Sequence, residues 1–201
     1  FCPRSSDNKY GFKYLIKHLN SVLNYFAKDR PIGLIGASMG GALALELARQ
    51  NPKKIHKLLL LSPAGLAGKN PKIPWPLNHF GAFFLSQSSV RRGLCRQAFF
   101  DPTKSVGPAE EQIASIHLKV PGWQSSLAAF AADGGVSDCA LPKPTQPLKI
   151  IIGKHDRIIP KAEKDQTSKI YNSNILIAKN SGHLPHLEEP ELVAKAWENF
   201  K

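Results

Sequence analysis

The sequence predicts an α/β layer fold: a mostly parallel sheet flanked by helices, with a helical segment inserted between two of its strands. Three observations carry that prediction. Short apolar runs without alternation recur along the chain, as strands do when both of their faces are covered. Between them lie segments whose apolar residues fall three or four apart, the spacing of an amphipathic helix. A proline-rich stretch, 64–147, then breaks the alternation and offers no convincing buried strand.

The elements follow in order. Phe12, Leu15, Ile16, Leu19, Val22, Leu23 and Phe26 form one apolar stripe across 12–28, and Asp29-Arg30-Pro31 stops that helix. "IGLIG", 32–36, reads as a short strand. Residues 39–50 are rich in Ala and Leu and read as a helix that Asn51-Pro52 ends, since the residue before a proline avoids the helical region. "HKLLLLSP" (56–63), "LKIIIG" (148–153) and "NILIA" (174–178) are three more buried strands. "KAEKDQTSKIY", 161–171, is helix-like. Pro190 suits a helix start, and Leu192, Val193, Ala196, Trp197 and Phe200 then share a stripe. Residues 64–147 are too long for a loop in a compact domain, and helices are expected in them near 87–100, 108–118 and 123–132. The expected division is a core of 1–63 with 148–201 and a helical cap of 64–147.

Composition narrows the function. No run of 18 consecutive apolar residues occurs, so no transmembrane segment is expected, and no secretory pattern opens the chain. Cys2, Cys95 and Cys139 are widely spaced without a CxxC pair, which argues against a disulfide framework or a zinc site and favours a reducing cytoplasmic setting. Lys and Arg outnumber Asp and Glu 27 to 15, a formal charge of +12. The excess is scattered as single lysines on a solvated surface. No recognition motif accompanies it, so nucleic acid is not the expected partner. The first residue is Phe1 and the only methionine is Met39, which predicts a fragment or a processed form. Nothing in the sequence sets the oligomeric state.

The chemistry starts at Gly36-Ala37-Ser38-Met39-Gly40, a G-x-S-x-G match between a predicted strand and a predicted helix. A strand reversing tightly into a helix strains the residue at the turn, and the small neighbours Gly36 and Gly40 leave room for the backbone to pass. The serine hydroxyl then projects beyond the sheet. The backbone N–H of Met39 points where an oxyanion would sit, with the helix dipole favouring negative charge there. A serine needs a base to take its proton, and the base needs an orienting carboxylate. Of seven histidines, His183 and His186 in "SGHLPHLEEP" are best placed, because they follow the last strand and so lie at the carboxyl edge that carries Ser38. His186 also suits a plainer role, bracing the loop or capping the last helix. Asp156 in "IIIGKHDRIIP" lies at the same edge, after the preceding strand.

The order Ser38, Asp156, His183 is that of the α/β-hydrolase arrangement. "GASMGG", "GKHDRIIP" and "SGHLPHLEEPE" together resemble the α/β-hydrolase superfamily, in its branch with a helical cap. That resemblance implies a triad of Ser38 as nucleophile, Asp156 as acid and His183 as base, since the first histidine of such a segment is the catalytic one. It implies that 64–147 closes over the substrate. It also implies an eight-stranded sheet in which Ser38 follows the fifth strand. The first four strands, and the second oxyanion donor borne by the third-strand loop, would then precede Phe1, with "FCPRSSD" matching the tail of the loop after the fourth. Strand 32–36 would in that case present an unpaired apolar edge.

The activity this predicts is serine-dependent hydrolysis of a small, largely apolar substrate through an acyl-enzyme. Carboxylic esters come first, then thioesters and lactones, with carbon–carbon hydrolysis of a diketone open to the same triad. No metal or organic cofactor is called for. The alternative is a binding module that holds a small ligand under the cap and turns over slowly or not at all. Among the cap aromatics, most are expected in the cap's own core, with Trp75, Phe83, Phe84 and Trp123 as candidates to line an acyl pocket. Arg91, Arg92 and Arg96 are expected on a solvated helix face.

Overall fold

The structure is a computed structural model and describes residues 10–28, 30–136 and 139–200. The segment "FCPRSSD" and Cys2 lie outside the described residues. Helix α1 (Phe12–Phe26) is followed by β1 (Ile32–Ala37), α2 (Met39–Gln50) and β2 (Ile55–Leu61). Five helices come next: α3 (Leu77–Ser86), α4 (Ser88–Ala98), α5 (Pro102–Ser105), α6 (Pro108–Ser115) and α7 (Trp123–Ala132). The chain then returns to the sheet through β3 (Leu148–Gly153), α8 (Lys161–Tyr171), β4 (Ile175–Ala178), α9 (Pro185–Glu188) and α10 (Pro190–Glu198).

The four strands form one sheet in the order β1-β2-β3-β4. Every pairing is parallel, with Leu34 opposite Leu58, Leu58 opposite Leu148 and Ile150 opposite Ile175. Alternate side chains point to opposite faces, and both faces here are apolar, which is why these strands show no polar alternation. Leu58, Leu60, Ile150 and Ile152 pack with Ile16 and Leu23 of α1, Leu45 of α2 and Tyr171 of α8. Leu59, Leu61 and Ile151 pack on the opposite side with Val193 and Ala196 of α10, and Trp197 and Phe200 lean against them. The terminal strand β1 leaves Ile35 half exposed, at 50%.

Two details differ from the sequence pattern. Strand β2 ends at Leu61, because Ser62 turns to φ +40° while its N–H donates to Ile151 O at 2.7 Å. In α1 the stripe is wider than the surface it meets, so Val22 and Phe26 remain exposed at its C-terminal end.

Between β2 and β3 the described residues contain helices and no strand. The two ends of this segment are joined: Cys139 donates its N–H to Gly65 O at 3.0 Å and Ala140 to Leu66 O at 2.8 Å. Glu163 of α8 accepts the N–H groups of Gly65 and Leu66 at 2.7 and 3.1 Å, fastening the junction to the core. Helix α3 is an element the sequence pattern did not predict. It buries only Asn78 and Ala82, and Asn78 Nδ2 donates to Ala128 O of α7 at 3.1 Å. An amide and a methyl group make no apolar stripe, so the helix leaves no periodic signature. The aromatic residues on and just before it, Trp75, Phe80, Phe83 and Phe84, are exposed, contrary to the expectation that most cap aromatics form a cap core. Phe99 is buried and Phe130 packs against the main core.

Leu60 is fully buried at the middle of the sheet. Replacing it by alanine removes contacts that the rigid strands on either side cannot restore. Leu60→Ala is expected to lower the unfolding free energy by about 2–5 kcal/mol. Urea denaturation checks this, with an unchanged slope marking a loss of stability rather than of compactness.

Candidate active site

Three loops at the carboxyl ends of β1, β3 and β4 carry the candidate residues. Because the strands are parallel, all three loops leave the sheet at one edge.

Ser38 sits between β1 and α2 with φ +51° and ψ −126°. For a residue with a Cβ this conformation costs on the order of 1–3 kcal/mol and persists only where its surroundings fix it. Here the Ser38 N–H donates to Leu61 O at 2.9 Å, and its carbonyl accepts the N–H groups of Gly41 and Ala64 at 2.9 and 3.0 Å. Backbone crowds the turn. A Cβ at Gly36 would lie 2.4 Å from Gly40 O, and one at Gly41 would lie 2.7 Å from Pro63 Cβ. A Cβ at Gly40 would meet nothing within 4 Å, so the steric demand that the pentapeptide suggests for Gly36 and Gly40 falls on Gly36 and Gly41. Met39 opens α2, where the backbone N–H groups of the first turn have no partner within the helix.

Asp156 is buried at 4% exposure and His183 at 6%. Their side chains meet at 3.0 Å, Asp156 Oδ2 to His183 Nδ1. The other carboxylate oxygen, Oδ1, accepts the N–H groups of Ile158 and Ile159 at 2.8 and 3.1 Å. Burial pushes this carboxyl's pKa up, but the hydrogen bond from His183, those from Ile159 and Ile158, and the attraction of the His183 ring outweigh it and hold the group below its ordinary value. An ionised carboxylate only accepts, so Nδ1 carries the proton in this contact, and in the neutral form of the ring Nε2 is the acceptor.

The approach of the two loops rests on bare backbone: a Cβ at Gly153 would fall 1.7 Å from Gly182 O. His183 is fixed from the main chain as well, its N–H donating to Ala98 O at 2.7 Å. Ser38 is not hydrogen-bonded to His183 in this structure; such contacts often tighten only when substrate is bound.

His186 lies in α9. Its Nδ1 is buried and without a partner, and burial, then the neighbouring His183, push its pKa down. Sequence reasoning overlooked Glu188 and Glu189, whose carboxylates grip the backbone of the His183 loop. The signal was present as two acids that follow His186 after one intervening residue. Of the four residues expected at a pocket, Trp75, Phe83 and Phe84 are exposed on or beside α3, and Trp123 tilts against His117 with ring centres 5.1 Å apart. A cavity of ≈ 610 Å³ lies elsewhere, between the N-terminal ends of β3 and β4 and helix α10. Among the described residues no group of His, Cys, Asp and Glu has the grouping to hold a metal ion. No described helix is long and apolar enough to cross a membrane.

Residues 10–196 match the model of the alpha/beta hydrolase family. The chain belongs to that family. A 2-hydroxymuconate semialdehyde hydrolase of Pseudomonas putida is 28% identical over 213 residues, covering all of this chain and 72% of its own length. An alpha/beta hydrolase domain-containing protein of Arabidopsis thaliana is 23% identical over 91% of this chain, which spans only 57% of that relative. Among solved structures, an esterase from Exiguobacterium antarcticum superimposes with a TM-score of 0.73 at 20% identity, over 95% of this chain and 74% of that one. At that identity the likeness speaks for the alpha/beta hydrolase fold alone.

The depressed pKa of Asp156 makes a pH-dependent contribution to stability. The folded state holds the proton less tightly than the unfolded state, so the contribution is complete above the unfolded carboxylate value, about 3.9. It is lost as pH falls through the lower folded value. Asp156→Asn is therefore expected to be less stable than the parent at neutral pH, with the gap narrowing below about pH 4. Denaturation at several pH values measures it, and a constant gap would contradict the assignment.

Proposed function

We propose that the protein is a serine hydrolase in which Ser38 is the nucleophile, His183 the general base and Asp156 the acid that orients it. The observation that carries this reading is the buried Asp156–His183 hydrogen bond at the sheet edge where Ser38 is held in a strained turn. Structural histidines need neither that partner nor that edge.

His183 Nε2 takes the Ser38 proton as Oγ attacks a carbonyl carbon. Negative charge develops on the carbonyl oxygen, and the Met39 N–H at the start of α2 faces it as a donor. The protonated imidazole, held through Nδ1 by Asp156, then gives its proton to the leaving group. Water repeats the sequence on the acyl-enzyme and frees the acid. Residues 64–147 act as the cap over the substrate. Trp75, Phe83, Phe84 and Trp123 are the proposed apolar wall, which suits a small, largely apolar acyl group.

Carboxylic esters are the first substrate class. Carbon–carbon hydrolysis is the second, supported by the relative named as a 2-hydroxymuconate semialdehyde hydrolase. Fold alone selects neither. A fluorophosphonate probe is expected to label Ser38. Ser38→Ala should abolish labelling, and His183→Ala should slow it by roughly 10³-fold or more. Turnover of p-nitrophenyl esters against a vinylogous 1,5-diketone separates the two substrate classes. A folded protein that takes no label and turns over neither substrate would be a binding module instead.

A further inference from the structure

The loop that carries His183 is held from outside as well as from within. Gly182 presses against the helical segment so closely that a Cβ there would stand 2.4 Å from Ala98 O and 2.9 Å from Phe100 N. On the Asp156 side, Gln97 Nε2 donates to Arg157 O at 2.9 Å and Arg157 Nη2 donates to Phe99 O at 2.5 Å. Cys95, Ala98 and Phe99 pack with Ile158 and Leu184, one apolar residue from each loop. Residues 97–100, at the end of α4, are thus stitched to both halves of the Asp156–His183 pair.

One side chain spans the junction. Glu188, the last residue of α9, accepts the N–H of Phe100 on Oε1 at 2.8 Å and the N–H of Gly182 on Oε2 at 2.7 Å. Hydrogen bonds to a carboxylate are shorter and stronger than neutral ones. The adjacent Glu189 makes a useful contrast. Its Oε2 accepts from Asn180 N–H at 2.9 Å and from Ser181 Oγ–H at 2.8 Å, so it ties the loop only to itself.

We propose that Glu188 is a positioning residue for the base. By taking the N–H groups of Gly182 and Phe100 into one carboxylate, it holds the His183 imidazole in register with Asp156 and ties that register to the place of residues 97–100. The inference rests on the serine-hydrolase reading above. Gly182 is bonded directly to His183, so a shift of the Gly182 backbone carries the ring with it. A misplacement of about 1 Å is enough to cost on the order of a hundredfold in rate. Loss of Glu188 leaves the Gly182 and Phe100 donors without their shared acceptor and frees the two segments to slide.

The test compares Glu188→Ala, Glu188→Gln and Glu189→Ala in the full chain. Three readouts are needed: kinetics on p-nitrophenyl butyrate, thermal unfolding, and the downfield proton resonance of His183 Nδ1–H. Glu188→Ala is expected to lower kcat roughly tenfold to a hundredfold with KM within about twofold, and to lose or broaden the downfield proton. Glu188→Gln, which keeps one acceptor oxygen, should fall between it and the parent, and it carries the comparison if the alanine variant fails to fold. Glu189→Ala should lower the melting temperature while leaving kcat within about twofold. Parental kcat and an intact downfield proton in a folded Glu188 variant would overturn the proposal. So would an equal loss of kcat in Glu189→Ala, which would make both acids general loop supports. A parent protein that shows the downfield proton, loses it in Glu188→Ala, yet takes no fluorophosphonate at Ser38 would uphold the clamp and refute the hydrolase reading.

Discussion

The hydrogen bond between Asp156 and His183 is the constraint around which the carboxyl edge of the sheet is built. Both groups are buried, and removing a charge from water is costly unless the protein supplies its partners. The protein supplies three to the carboxylate: the imidazole and the N–H groups of Ile158 and Ile159. Bringing the two loops that close requires main chain to lie on main chain, and the absence of side chains at Gly153 and Gly182 permits it. The helical segment rests on the result, through Ala98, Phe99 and Phe100. Order therefore passes outward from one buried pair to its two loops and then to the insertion.

Most of the core was legible in the sequence because burial on both faces leaves a plain trace. Leu58 to Leu61 and Ile150 to Ile152 are apolar in unbroken runs since each face has a helix to meet. The boundaries were less legible. Ser62 ends β2 by a backbone rotation that its residue type does not announce. Helix α3 escaped for a different reason: its buried positions are Asn78 and Ala82, and pattern reading looks for large apolar residues. The expectation of an aromatic cap core failed for the same reason: α3 buries its small residues and leaves Phe80, Phe83 and Phe84 exposed.

The candidate site was legible to the extent that its candidate residues are chemically distinctive side chains at strand ends. Ser38 could be proposed from its glycine-flanked turn, and Asp156 with the His183 and His186 pair from position, since parallel strands deliver their loops to one edge; the family resemblance then favoured His183. What sequence could not convey is the support. Glu188 and Glu189 resemble ordinary helix-start acids, yet both serve backbone donors on the His183 loop, and Glu188 also takes the Phe100 N–H of the insertion. The glycines behaved similarly. Gly36, Gly40 and Gly41 look alike in sequence, but only Gly36 and Gly41 lie where a methyl group would collide.

The paired ends of the inserted segment bear on how the chain finds its fold. Strands β2 and β3 are neighbours, although residues 62–147 separate them. Closing so long a connection costs about 1.7 kcal/mol more entropy than closing one of a dozen residues. The bonds from Cys139 to Gly65 and from Ala140 to Leu66 act as a stem. Once they form, the distance along the chain that the two strands must bridge shrinks to the few residues on either side of that stem. A large excursion can thus interrupt the sheet while β2 and β3 meet as if joined by a short crossover.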